Sequence, residues 1–267
     1  LAIALDGTGW GPDETAWGGE WLQILGGGTW RRMAHLEPLP LVGGERAVLE
    51  PWRVAVAALA LSDAGGLAGR LPMADQVPEA ELQTVARLAA HPGWPKASGA
   101  GRVFEAAGAL LGLCAVNGWE GEAAARLEAL AAEGPPAAQW PEVALDAGAE
   151  PPRLPSVSLL SAAAARLLSG ETGQAVAAGF HATFCELAAD LLARVAPEGQ
   201  RLVALGGGCL VNRLLRGGLA GALAQRGFEP LLPVDVPPGD GGLAYGQAAL
   251  AASALRAGGT GWLLAPR

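Results

Sequence analysis

The sequence predicts an α/β protein, and three observations carry that reading. The C-terminal third alternates short apolar runs with alanine- and leucine-rich amphipathic stretches: a strand at 201–205, a helix over about 210–226, a strand at 229–233 and a helix over about 242–256. That order builds a parallel or mixed sheet with covering helices. The opening segment, 1–44, alternates apolar residues with turn signals (LAIALDGTG, TAWGGEWLQI, RRMAHLEPLPLVGG) and predicts three strands joined by tight turns. Two glycine-rich stretches, RLVALGGGCLVNRLL at 201–215 and VPPGDGGLAYGQAALAA at 236–252, read as strand or turn, glycine loop, then helix.

Between the two ends the periodicity changes. ERAVLEPWRVAVAALAL and PEAELQTVARLAAH carry helical spacing, and GRVFEAAGALLGLCAV followed by EGEAAARLEALAAE predicts two helices broken at Asn117–Gly118, so 45–133 is mainly helical. The proline-rich 134–155 lacks helix signals and is expected to be a surface connection or short strands. A long helix is expected over about 171–195.

At 267 residues, half of them apolar, the chain has material for a sizeable core. A net charge of −8 without a basic cluster argues against duplex nucleic acid or an anionic membrane as partner, because phosphate binding needs concentrated positive charge. Cys114, Cys185 and Cys209 are isolated and lack CxxC spacing, which fits packed thiols in a reducing compartment. No apolar run of about eighteen or more residues is free of charge or glycine and no basic segment opens the chain, so the expectation is a cytoplasmic protein without a spanning helix. The chain begins directly in a strand-like run, without a methionine, which suggests a piece of a longer polypeptide.

Three glycines in a row, Gly206, Gly207 and Gly208, cost too much backbone entropy to be packing alone. They suit main-chain N–H groups approaching a phosphate, helped by the dipole of the following helix, which makes a nucleotide site the leading expectation. Asp6 in DGTGWG and Asp240 in GDGG are expected at strand-to-loop edges, where α/β proteins bind ligands. Brought to about 5 Å, two carboxylates repel by roughly 3 kcal/mol at an effective dielectric near 20. A divalent cation offsets that repulsion, and oxygen ligands suit magnesium or manganese, or iron or zinc with added histidines. The plainer reading is that each aspartate satisfies turn N–H groups. Asn212 either reaches a ribose, base or phosphate from the first helical turn or caps that helix. Glu105 and the Glu120–Gly121 pair either offer ribose contacts or lie on solvated faces. His35, His91 and His181 are isolated, and a lone histidine is more often structural than a ligand. There is no HxxxH or HExxH pair, no GxxxxGK[ST] loop and no G-x-S-x-G elbow. Nine tryptophans are many, and Trp10, Trp17, Trp21 and Trp30 are expected to form a packed aromatic cover.

DGTGWG at 6–11, WGGEWL at 17–22, RRMAHLEPLPLVGGERAVLEPWRVA at 31–55, GRVFEAAGALLG at 101–112, WEGEAAARLEALA at 119–131, GFH at 179–181, GGGCLVN at 206–212 and VPPGDGGLAYGQ at 236–247 resemble, in this order, the C-terminal part of the HypF family of hydrogenase-maturation carbamoyltransferases. The resemblance implies a Kae1-like domain, related to the tRNA threonylcarbamoyl-adenosine synthases, with the actin- and sugar-kinase-type ATPase fold. On that pattern 1–44 ends a first lobe, 45–133 is a helical segment with nucleotide-contacting loops, and 134–267 is a second lobe. It also implies that ATP and carbamoyl phosphate yield a carbamoyl-adenylate, whose carbamoyl group passes to the C-terminal cysteine of the partner HypE and becomes the cyanide ligand of nickel–iron hydrogenase. Asp6 and Asp240 match the metal-binding aspartates of the family. Gly7, Thr8 and Gly9 match a loop along the phosphates, with Gly207 and Gly208 in the second glycine loop. Gly121 and Asn212 match nucleotide contacts, and Glu105 stands where an aspartate usually touches ribose. The metal is left open among magnesium, iron and zinc. The family's HxxxH ligands are expected just before Leu1, and Gly206 and Gly239 replace a typical serine and asparagine. Two other readings stay open: an O-carbamoyltransferase acting on a sugar hydroxyl, and a non-catalytic nucleotide-binding or docking module.

Overall fold

The computed structural model describes residues 1–26, 29–62, 64–146 and 148–256, so the end of the expected 134–267 stretch lies outside the described residues. Three strands open the chain: β1 (Ala2–Trp10), β2 (Ala16–Gly26) and β3 (Thr29–Leu36). They pair as an antiparallel meander, Leu5 opposite Gly19 and Trp21 opposite Ala34. Their alternation sends Ile3, Leu5, Trp21, Ala34 and Leu36 into the core. The tryptophan cover is partial: Trp21 is fully buried and Trp17 meets Trp30 edge-on at 5.8 Å with Arg32 over its face, whereas Trp10 is exposed.

A short strand β4 (Leu39–Pro40) leads into α1 (Arg46–Leu49) and α2 (Trp52–Leu61). The periodic run through 45–61 is two helices because Pro51, which lacks an N–H, stands between them at the head of α2. Two tight 3-10 turns, α3 (Glu79–Leu88) and β5 (Lys96–Ala97) follow. Next come α4 (Ala100–Leu110), α5 (Glu122–Ala132) and β6 (Arg153–Leu154). Then α6 (Ser156–Leu168), a helix not expected from the sequence, precedes α7 (Gly173–Val195). The C-terminal alternation is as expected, with β7 (Leu202–Gly206), a 3-10 turn at Gly208–Val211, α8 (Arg213–Gln225), β8 (Glu229–Leu231), a turn at Asp240–Gly242 and α9 (Leu243–Arg256).

The strands form one mixed sheet in the order β4-β5-β2-β1-β7-β8, with β3 branching from β2 and β6 pairing with β3. β1 pairs in parallel with β7, Ala2 opposite Ala204, and β7 pairs in parallel with β8. The opening strands and the C-terminal strands therefore share one ladder, and the lobe boundary expected after residue 44 does not divide this sheet. The apolar α7 is long enough by composition to cross a membrane, but most of it is buried in the fold, where Phe180 and Phe184 meet Phe104 of α4 edge-on at 5.3 and 4.9 Å. Its hydrophobicity is that of a core helix.

Candidate functional site

Five stretches far apart in sequence meet around one cavity of about 450 Å³, just beyond the point where the parallel β1–β7 pairing ends at Ala4 and Gly206. It brings together Asp6 and Gly7, Glu105, Gly121, Gly208 with Asn212, and Asp240. Open α/β sheets present their ligand sites at this edge.

Asp6 does not end its strand, as the sequence suggested. β1 runs on to Trp10, and Asp6 sits where the β1–β2 register slips between Leu5 and Gly9. Such an irregularity re-aims a side chain. One Asp6 oxygen accepts the Gly7 N–H at 2.8 Å, the turn-satisfying role weighed above. A Cβ added to Gly208 would stand 3.2 Å from that oxygen, and one on Gly239 would stand 3.0 Å from the Gly208 Cα. Glycine at these points lets the Asp6 and Asp240 segments close on each other.

The other glycines divide. Gly207 has φ +103° and no room for a Cβ against the Leu5 carbonyl; its N–H is already donated to Pro238 O at 2.7 Å. It ties the two loops together and does not line the cavity. Thr8 and Gly9 lie further along β1, exposed and outside the lining. Gly121 has φ +77° at the head of α5, a left-handed backbone that favours glycine, and turns the first residues of that helix toward the cavity.

On α4, Glu105 is buried and one turn from Arg102. Its Oε2 lies 2.8 Å from Arg102 Nη2 without hydrogen-bond alignment, and its Oε1 accepts from Asn117 Nδ2 at 3.1 Å. Burial pushes its carboxyl up to about 7, opposed first by the Arg102 charge and then by the Asn117 hydrogen bond. Arg102, which sequence reasoning did not single out, is the only cation on the described walls, against Asp6, Glu105, Glu120, Glu128 and Asp240. Its i, i+3 spacing to Glu105 is the signal that would have found it.

Asn212 takes the capping role: its Oδ1 accepts the Leu215 N–H at 2.9 Å while its Nδ2 faces His181 Nε2 at 3.0 Å. Cys209 also lines the cavity, its thiol pushed up to about 12 by burial and then by the nearby Asp6 carboxylate, so it is not a ready nucleophile. His35 bonds Leu36 O within the sheet and His91 accepts the Gly93 N–H in a turn, both away from the cavity. All three cysteines are free.

An acidic cavity at the edge of a mixed sheet, lined by two glycine loops and two helix starts, places the chain in the class of α/β proteins with a candidate ligand site. Residues 2–247 match the family described as Carbamoyltransferase, Kae1-like Domain, second subdomain, and the chain belongs to the HypF carbamoyltransferase family. It is 41% identical over 256 residues to the Carbamoyltransferase HypF homolog of Cupriavidus necator, covering 94% of this chain and 65% of that protein. It is 40% identical over 255 residues to Carbamoyltransferase HypF of Rhizobium leguminosarum bv. viciae, covering 94% of this chain and 32% of that protein. The chain thus spans 65% of the length of the first of these relatives and 32% of the second. Among solved structures it superimposes on a full-length HypF in its phosphate- and nucleotide-bound form with a TM-score of 0.83 at 29% identity, over 94% of this chain and 39% of that one. The corresponding values for T. kodakarensis HypF are 0.80 and 27%, over 97% and 34%.

Proposed function

We propose that this chain is the part of a HypF-type enzyme that holds an ATP-derived carbamoyl-adenylate, made with carbamoyl phosphate, and delivers its carbamoyl group to the C-terminal cysteine of HypE. The observation that carries this reading is the convergence of Asp6, Glu105, Gly121, Gly208 and Asp240 on a single cavity. A family relative crystallised with nucleotide supports it. In the transfer step the cysteine thiolate attacks the carbamoyl carbon; the carbon–sulfur bond forms, the carbon–oxygen bond to the phosphoryl group breaks, and AMP leaves. The product thiocarboxamide is the precursor of the hydrogenase cyanide ligand. A cytoplasmic setting fits ATP-dependent chemistry beside three free thiols.

We assign residue roles from the family resemblance, which the convergence on one cavity supports. Glu105 and Gly121 take the ribose end, with Asn212 shaping that wall through its cap. Gly7 and Gly208 lie along the phosphates; Thr8 and Gly9 continue β1 beyond the cavity and take no direct role in this reading, and Gly207 holds the loops together. Asp6, Glu120, Glu128 and Asp240, besides the raised Glu105, against one guanidinium make the cavity hostile to a phosphate tail unless a cation accompanies it. Asp6 and Asp240 suit a divalent metal in this respect. Among the described residues no three His, Cys, Asp or Glu side chains form a metal-holding group, so phosphate, water or residues outside this set would complete the coordination. Such a metal would neutralise phosphate charge. Arg102, held by Glu105, orients that wall. We read the chain as one lobe of an actin- and sugar-kinase-type ATPase, with the helical 45–133 inserted between its first and last strands.

Calorimetric titration of the chain with ATP and magnesium tests the site. Asp240→Ala is expected to weaken binding about tenfold or more, and equal affinity in the two proteins overturns the metal-bridged phosphate. A second reading, a nucleotide-binding module without catalysis of its own, is favoured by the two-carboxylate metal site. It is separated by assaying the full-length enzyme with Asp6→Asn: undiminished transfer to HypE supports the module, and transfer to a sugar hydroxyl but not to a peptide cysteine supports an O-carbamoyltransferase.

A further inference from the structure

Behind the cavity, one side chain is fixed by directional contacts at both ring nitrogens. His181 lies on α7, buried, with Nδ1 2.8 Å from Ala177 O and Nε2 3.0 Å from Asn212 Nδ2. A carbonyl oxygen only accepts, so Nδ1 carries the proton and Nε2 presents its lone pair. The Asn212 amide must then donate to His181, which leaves its oxygen for the Leu215 N–H, 2.9 Å away. The relay Ala177 O, His181, Asn212, Leu215 N–H has one consistent polarity from end to end. Phe104, which lines the cavity, packs edge-on against the same imidazole at 5.2 Å.

We propose that His181 is a positioning residue for the ligand cavity: as a neutral Nδ1–H imidazole it orients the Asn212 amide, and through it fixes the head of α8 and the turn Gly208–Val211 that forms one wall. The geometry gives a reason for a histidine at this depth. Phenylalanine fills the space without an acceptor, and a protonated imidazole sets an N–H against the N–H of Asn212. Burial lowers the pKa of His181, which favours the neutral ring. The charged group acting on it from a neighbouring element is Glu128 of α5, which pulls the other way. Cys185, one turn along α7, has its thiol pushed up to about 12 and stays neutral, and Phe104 and Phe180 bring no charge. The inference rests on the cavity being a nucleotide site only for its binding readout.

Two measurements on the full chain test it. Long-range proton–nitrogen spectra of the imidazole between about pH 5 and pH 8 read the tautomer. The expected result is a protonated Nδ1 and an unprotonated Nε2 through neutral pH. In Asn212→Asp, which keeps the cap but turns a carboxylate toward Nε2, the ring should take up its second proton at a clearly higher pH. A proton on Nε2 in the wild-type protein, or an unchanged titration in Asn212→Asp, overturns the inference. ATP titration is the second measurement. His181→Phe is expected to bind about tenfold more weakly, the scale of one orienting hydrogen bond. His181→Gln, which offers an amide oxygen in place of Nε2, should recover part of that loss. Wild-type affinity in a folded His181→Phe overturns the inference. If the wild-type chain binds no nucleotide, the nucleotide reading fails by itself, and the tautomer and the Asn212→Asp shift decide the role of His181.

Discussion

The α4–α5 wall of the cavity and the wall at Pro237–Gly241, which leads into α9, differ in how much protein stands behind them. Every residue of α4 is buried, and α4 packs on α2, α5 and α6. α9 buries only Ala254 and exposes Leu243, Tyr245, Leu250 and Leu255. Local opening costs least where few apolar contacts are made. The α4–α5 wall is therefore backed by the core, whereas the helix that follows Asp240 has little apolar packing behind it. A site that must hold one end of a ligand firmly and let chemistry proceed at the other gains from that asymmetry.

The comparison breaks most sharply at the joint between the walls. Gly207→Ala places a Cβ against the Leu5 carbonyl at φ +103°, and is expected to lower unfolding free energy by about 3–5 kcal/mol in denaturant titrations. The next effect belongs to the buried wall. Glu105, raised from 4.5 to about 7, keeps its proton in the folded protein at pH values where the unfolded chain has lost it. Stability from this group is thus complete below about pH 4.5 and declines as pH rises to about 7, by about 3 kcal/mol in all. Unfolding measured across that window should show the slope, and Glu105→Gln should flatten it. On the loose wall the effects are small and of opposite sign. Gly246 lies in α9 with open space where a Cβ would stand, so Gly246→Ala should raise stability by about 0.5–1 kcal/mol through helix propensity. Asp240→Ala, at an exposed carboxylate, should change stability by no more than about 0.5 kcal/mol even as it weakens ATP binding.

Much of this was legible in the sequence because strong local signals agreed with the final fold. The alternation at 1–36 and the C-terminal strand–helix order appear close to their expected limits. So does α7, whose Thr172 caps the helix by accepting the Ala175 N–H. The helix α6 escaped because Pro151, Pro152 and Pro155 crowd its approach, although Leu159, Leu160 and Ala163 already form a buried stripe. The sheet partners of β1 were out of reach of local pattern, since pairing Ala2 with Ala204 depends on everything in between. Around the cavity, Asp6, Gly121, Asn212 and Asp240 stood out by residue type beside glycine or at a helix start, and Glu105 only as a carboxylate on a helical face that matches the family pattern. Arg102 did not, because an arginine inside an apolar helix reads as a solvated side chain until its burial is known. Nor could spacing separate Gly208, which lines the cavity, from Gly207, whose amide is spent on Pro238.

The parallel pairing of β1 with β7 sets an order of events at birth. At a synthesis rate of about 5–20 residues per second, β1 leaves the ribosome roughly ten to forty seconds before its neighbour exists. During that interval the meander carries an open edge with unsatisfied amides, the kind of border that recruits foreign strands. The nascent chain is most exposed to misassembly then, and the wall bearing Asp6 can take its working shape only once β7 has been made.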